Sequence, residues 1–228
     1  MNVRAVKTRV FKENDDIVEF ITQYIPGIKS GSILVVTSKI AALAEGRTAE
    51  PKEKEKLIRA ESSWAKRAYG DWWLTIRGGV LNVNAGIDES NADGKIILLP
   101  KDSFRTAARL QKALKKTYRI KKLGIIITDS RVSPLRAGAT AIALGYAGFR
   151  GIRDYRGKKD IFGRMLEVSR TNVADSLATA AVVLMGEGSE RCPLAVIEGA
   201  PVEFAETVSK KEVEITVGKD MYRFLFER

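Results

Sequence analysis

Four neighbouring side chains, Asp88, Glu89, Ser90 and Asn91, place two carboxylates, a hydroxyl and an amide in one short segment. The segment follows an apolar run, residues 80–83, through Asn84-Ala85-Gly86-Ile87. It leaves through Asp93-Gly94 into Lys95-Ile96-Ile97-Leu98-Leu99-Pro100. That order predicts a strand, an acidic bend and a second strand. Such a bend at a sheet end can turn its oxygens toward a hard cation or a phosphate-bound metal. It can also be an ordinary surface turn, because Asn, Asp, Ser and Gly are turn formers. A second segment of the same design favours chemistry. Ile125-Ile126-Ile127-Thr128-Asp129-Ser130 is an apolar strand with an Asp at its predicted exit and a hydroxyl after it.

The chain contains no histidine. This removes the usual general base near neutral pH, the Ser–His and Cys–His nucleophile pairs, and imidazole metal ligands. Chemistry must then use carboxylates, hydroxyls, Lys, Arg and metal held by oxygen, which means Mg²⁺ or Mn²⁺ rather than zinc. The single cysteine, Cys192, excludes an intrachain disulfide and is expected to be a buried small apolar residue. The 39 Lys and Arg outnumber the 28 Asp and Glu, for a net charge of +11. That excess suits anionic partners, either nucleotides and phosphorylated small molecules or nucleic acid, and is also compatible with a solvated surface. Hydrophobic content of 45% with 29% charged residues describes a globular protein. No apolar run approaches a membrane span and the first residues lack a signal-peptide pattern, so a cytoplasmic protein without membrane contact is expected.

The elements that must position these residues alternate along the chain. Residues 3–11 read as a strand, 17–24 as a short helix and 32–37 as a buried strand. Ser38 stands at an expected N-cap, with a helix over 39–45 that stops at Gly46. A strand followed by Ser-Lys and a helix start is a plausible phosphate seat, although the glycine-rich Walker loop is absent. Residues 50–60 predict an exposed helix that continues through 61–67. Residues 72–77 predict a strand, and Gly78-Gly79 a turn. Over 104–119, Arg105, Arg109, Lys112, Lys116 and Arg119 share one helical face, and Phe104, Ala107, Leu110, Leu114 and Tyr118 the other. The basic stripe reads as a solvated face, with binding of nucleic acid or of an anionic substrate as the alternative. Residues 131–138 form a loop and 140–148 a small-residue strand. Residues 150–164 form a basic hairpin, and Thr171 caps a helix over 172–185. Residues 193–197 make a last strand, and the apolar end, 221–226, docks on the body or on a partner subunit. Without repeats, low-complexity tracts or a linker, residues 1–228 read as a single domain.

Five blocks in order carry a resemblance to a known family. They are Ser38-Lys39-Ile40 with Ala44-Glu45-Gly46-Arg47, residues 84–91, Leu98-Leu99-Pro100, Ile126-Ile127-Thr128-Asp129-Ser130, and Ala174-Asp175 through Met185-Gly186-Glu187. From about residue 8 to residue 200 the chain resembles the coenzyme F420-0:L-glutamate ligases. The resemblance implies a mixed α/β fold with mixed sheets and packed helices, forming an intertwined homodimer. It implies GTP-dependent (alternatively ATP-dependent) addition of L-glutamate to an anionic, phosphorylated deazaflavin acceptor. Asp88 and Asp129 would be the catalytic metal-binding pair. They would bind one Mg²⁺ or Mn²⁺ ion, and Ser130, where the family usually has Thr, would bind a second, with Glu187, where the family has Gln or Glu. Val10, Phe11, Ser38, Lys39, Asn91 and the turn Met185-Gly186-Glu187-Gly188-Ser189 would contact the nucleotide. Arg136 would meet the acceptor. The chain departs from the family pattern at Arg9, where Pro is usual, at Leu43, where Lys is usual, and at Leu135, where Trp is usual.

If Asp88, Asp129 and Glu187 converge, their mutual repulsion demands cations between them. Ions held there would neutralise nucleotide phosphates during transfer. A carboxylate that attacks the γ-phosphate becomes an acyl phosphate, and an amine then displaces phosphate to form an amide. No histidine is needed. The same chemistry on a folate-like γ-glutamyl acceptor is one alternative, and a catalytically silent nucleotide- or RNA-binding relative is another.

Overall fold

Two strands that are apolar at almost every position need cover on both faces, and the architecture supplies it. The computed structural model describes residues 1–226. In chain order the elements are β1 (Asn2–Val6), α1 (Ile17–Tyr24), β2 (Ser32–Thr37), α2 (Ser38–Ala44), β3 (Thr48–Ala49), α3 (Lys54–Glu61), β4 (Trp64–Arg67), β5 (Trp73–Arg77) and β6 (Val80–Val83). There follow β7 (Ile96–Ile97), α4 (Ser103–Tyr118), β8 (Leu123–Val132), β9 (Ala139–Ala147), β10 (Ile152–Asp154), β11 (Arg170–Asn172), α5 (Val173–Met185) and β12 (Leu194–Glu198).

The main sheet has the order β1-β12-β2-β8-β9, and only β2 and β8 run parallel. Leu34, Val36, Ile125 and Ile127 face a core built with α1, α2 and α4. Ile33, Val35 and Ile126 face the opposite core with α5, Tyr146 and Phe149. Successive residues of a strand point to opposite faces, so a sheet buried on both sides demands the continuous apolar runs seen in the sequence. The fold is α/β with mixed and antiparallel sheets. The five basic residues of the predicted stripe are all exposed, four on α4 and Arg119 at its left-handed C-cap, while Ala107, Leu110 and Leu114 are buried.

A smaller layer consists of β4-β5-β6 and the pair β3-β7, closed by α3 over Ile58, Trp73, Ile87 and Ile96. The helix expected to run through 67 ends at Glu61. The Ser62 hydroxyl bonds back to the Ile58 carbonyl, and Trp64–Arg67 is strand, paired with Trp73–Arg77. The strand expected over 3–11 stops at Val6, opposite Leu194 where β12 begins. Beyond it, Thr8 donates to the Arg191 carbonyl. Asn172 rather than Thr171 caps α5, accepting from the Asp175 N–H at 3.0 Å. The basic hairpin of 150–164 reaches further than expected, because Ile152–Asp154 pairs with Arg170–Asn172.

The carboxy-terminal segment runs back over the body. Glu212 accepts from the Tyr146 hydroxyl (2.6 Å) and the Gly151 N–H (2.9 Å). The Phe226 ring meets Trp64 edge-on at 5.4 Å, while Met221 and Phe224 stay exposed. Among the described residues, no helix is long and apolar enough to cross a membrane.

Candidate active site

The parallel register of β2 and β8 creates the site. Their pairing ends at Thr37 opposite Thr128. At that point β2 turns into α2, whereas β8 continues beside β9 after a bulge between Ile127 and Thr128. Asp129 therefore lies within a long strand and not at a strand exit as the sequence reading expected. Its neighbour is the first residue of α2. Crevices outside the carboxyl ends of parallel strands are the usual ligand sites of α/β sheets, and a cavity of about 420 Å³ opens here.

Ser38 was expected to cap α2. Thr37 holds the cap position without a side-chain bond, and the Ser38 hydroxyl instead donates to Asp129 Oδ1 at 2.7 Å. Burial pushes the Asp129 carboxyl up to about 6. The Asp88 charge adds to that rise, and the Ser38 hydrogen bond opposes it.

The bend at 84–91 is held by buried polar contacts. Asn84, Ala85 and Gly86 have φ values of 52°, 55° and 71°, a left-handed run that disfavours ordinary side chains. Asn84 Oδ1 accepts the Trp73 N–H at 2.9 Å, and Thr75 Oγ1 accepts the Ala85 N–H at 2.8 Å. A Cβ on Gly86 would stand 2.5 Å from Leu99 Cδ1, so position 86 requires glycine. The bend thereby delivers Asp88, whose backbone pairs with Ile97 in both directions.

The Asp88 carboxylate accepts the Ser90 N–H at 2.7 Å and the Ser90 hydroxyl at 2.9 Å. It also accepts the Lys39 ammonium at 2.8 Å. Burial works to raise its pKa, but the bonds from Lys39 and Ser90 outweigh burial and hold the carboxyl below its ordinary value. Asn91 reaches across to the Gly188 carbonyl, joining the bend to the turn after α5. On that turn both carboxylate oxygens of Glu187 lie within 2.8 Å of the Ser130 hydroxyl, which donates to them.

Asp88, Asp129, Ser130, Glu187, Ser38, Lys39 and Asn91 all line the cavity. So do Val10, Phe11 and the turn residues Met185, Gly186, Gly188 and Ser189. Val10 is exposed, whereas Phe11 is buried and packed edge-on against Phe20. Arg136 does not join them. It is exposed in the turn between β8 and β9, next to a fully exposed Leu135, and neither lines the cavity. Thr8, Glu190 and Arg191 also line the cavity, brought there by the Thr8–Arg191 backbone bond and the tight turn at Gly186, and apart from that glycine nothing in their local sequence singles them out. A Cβ on Gly186 would meet the Glu190 carboxylate at 2.3 Å, so the glycine was the available signal. Cys192 also lines the cavity and is half-buried, not fully buried as expected, because it follows an exposed turn.

The donors offered to a cation are all oxygens, which suits Mg²⁺ or Mn²⁺. Among the described residues no three acidic side chains stand together as a cage. A cation here would draw further ligands from hydroxyl, water or phosphate, as Mg²⁺ ordinarily does. A buried carboxyl pushed up to about 6, with a second carboxylate beside it, is a group that a cation would relieve. The residues therefore fit such an ion.

Comparison with known proteins gives a consistent picture. The chain is 28% identical to the coenzyme F420:L-glutamate ligase of Methanopyrus kandleri, over 94% of each chain. It is 32% identical to that of Archaeoglobus fulgidus, over 96% of this chain and 94% of the relative. It is 34% identical to that of Methanococcus maripaludis, over 87% of this chain and 82% of the relative. The model of the family described as F420-0:Gamma-glutamyl ligase matches residues 5–199, and the chain belongs to that family.

Proposed function

We propose that this ligase joins L-glutamate through an amide bond to the carboxylate of a phosphorylated deazaflavin acceptor, at the expense of GTP and with Mg²⁺ or Mn²⁺. The observation that supports the reading is one cavity lined by oxygen donors from three separate elements (Asp88, Asp129 with Ser130, and Glu187), with Lys39 beside them. The names of the relatives supply the substrate class. Asp88 and Asp129 would hold one divalent cation and Ser130 with Glu187 a second, and such ions when bound neutralise charge on the nucleotide phosphates.

Lys39 and the 186–189 turn contact the phosphates, although the Gly186 and Gly188 amides are already bonded to the Val182 carbonyl and the Glu190 carboxylate. The acceptor carboxylate takes the γ-phosphoryl group, and the nucleotide leaves as its diphosphate. The amine of L-glutamate then attacks the acyl carbon, the C–O bond to phosphate breaks, and the amine loses a proton as the amide forms. The departing phosphate can carry that proton, so a histidine-free site is adequate. On this reading the protein works in the cytoplasm as a homodimer, and the exposed apolar residues Leu135, Ile161, Phe162 and Val168 favour contact with a second copy.

The test is direct. Purified protein is supplied with GTP, Mg²⁺ or Mn²⁺, L-glutamate and the deazaflavin precursor, and products are read by mass spectrometry. A product heavier by one glutamyl residue, with release of phosphate, is expected. Product from a folate-like acceptor alone would move the assignment to that acceptor. No amide with GTP or ATP on either acceptor would refute the ligase assignment and leave a silent nucleotide-binding relative. Light scattering reads the oligomeric state in the same preparation.

A further inference from the structure

We infer that Lys39 competes with the divalent cation for Asp88, so that metal enters this site together with nucleotide and only weakly ahead of it. The inference rests on the metal and nucleotide reading given above. Its starting point is how completely the ammonium is engaged. A lysine ammonium has three N–H donors. Those of Lys39 face Asp88 Oδ2 (2.8 Å), the Ser90 carbonyl (2.8 Å) and the Ser90 hydroxyl (3.2 Å). Asp88 is equally occupied, since Ser90 supplies its N–H to Oδ1 and its hydroxyl to Oδ2. The charge of the one carboxylate that the bend offers to the cavity is thus balanced by a protein cation from the second residue of α2, 49 positions earlier in the chain. The side chains are 26% and 47% exposed, so the pair is screened but real.

A metal ion alone would have to displace that ammonium. It would gain few protein ligands in exchange, because no three acidic side chains stand together among the described residues. Mg²⁺-type ions keep water and rely on substrate phosphates for much of their coordination. Nucleotide changes the balance twice. Its phosphates add metal ligands, and they offer the Lys39 ammonium a new anionic partner, which frees Asp88. Coupling of this kind is reciprocal, so metal must tighten nucleotide by the same factor as nucleotide tightens metal.

The experiment titrates Mn²⁺ into the full chain and reads free Mn²⁺ by electron paramagnetic resonance, with and without a non-hydrolysable GTP analogue. Lys39→Met removes the charge and keeps the stem, and Lys39→Arg keeps the charge. Circular dichroism melts establish that each variant is folded. Without nucleotide, Lys39→Met is expected to bind Mn²⁺ roughly tenfold tighter than the unaltered chain. The factor by which the analogue tightens Mn²⁺ should shrink correspondingly. Lys39→Arg should stay as weak as the parent. Two results would overturn the inference alone: Mn²⁺ binding by the parent that is as tight without nucleotide as with it, or no gain in Lys39→Met while the parent binds Mn²⁺ with the analogue. Absence of Mn²⁺ binding by all three chains, with and without the analogue, would overturn both this inference and the metal assignment beneath it.

Discussion

Replacing Asp129 by Asn removes a charge and keeps the shape, including an oxygen to accept from Ser38. In the folded chain burial and the Asp88 charge lift the Asp129 carboxyl from 3.8 to about 6. A rise of about two pH units corresponds to ~3 kcal/mol at 1.36 kcal/mol per unit. The folded state holds the proton more tightly than the unfolded chain does. The favourable contribution of the neutral carboxyl is therefore complete below pH 3.8 and is lost as pH rises through about 6. At pH 8 the ionised group costs the fold about 3 kcal/mol, and near pH 5 roughly half of that. Asp129→Asn avoids the penalty at every pH. For a chain of this length 1 kcal/mol moves the melting temperature by about 2–4 °C. In thermal scans without divalent metal, the variant should melt ~6–12 °C above the parent at pH 8, with the gap narrowing steadily toward pH 4. A gap that does not change with pH, or a variant that melts lower at pH 8, would refute the electrostatic account of this site.

Three further outcomes follow from packing. Gly86→Ala forces a side chain into a φ of 71° and against buried Leu99, and should lower unfolding free energy by about 2–4 kcal/mol in urea titrations. Burial tends to raise the Glu61 pKa, but the guanidinium groups of Arg47 and Arg77 outweigh it and hold the carboxyl low. Glu61→Gln should therefore lose about 2 kcal/mol at pH 7, a loss that fades as pH falls below the ordinary carboxylate range and through the depressed pKa, and is checked by denaturation from pH 7 down to about pH 2. Joint replacement of Arg105, Arg109, Lys112, Lys116 and Arg119 by Gln should leave nucleotide turnover and melting temperature unchanged, because all five are exposed, four on α4 and Arg119 at its C-cap. A large loss of turnover would show that this face meets a substrate.

Local patterning alone determined much of this protein. The helix at Ile17–Tyr24, the strand at Ser32–Thr37 and the two faces of α4 follow from periodicity, because burial repeats at the spacing of the element itself. The absence of histidine limits the side chains available for chemistry to carboxylates, hydroxyls, amides, the lone thiol, Lys and Arg. Contacts between distant residues were decided only in three dimensions. Ser38 reads locally as a helix cap, yet the register of two parallel strands places it on Asp129, 91 residues away. Trp64–Arg67 continues a charged helical pattern in sequence and becomes strand because Trp73–Arg77 offers its backbone a partner. Arg136 follows Asp129 by seven positions, but an antiparallel hairpin carries it away from the cavity. Propensity and spacing act over a few residues, whereas hydrogen-bond partners and neighbouring charges are supplied by whichever segments the folded chain brings alongside.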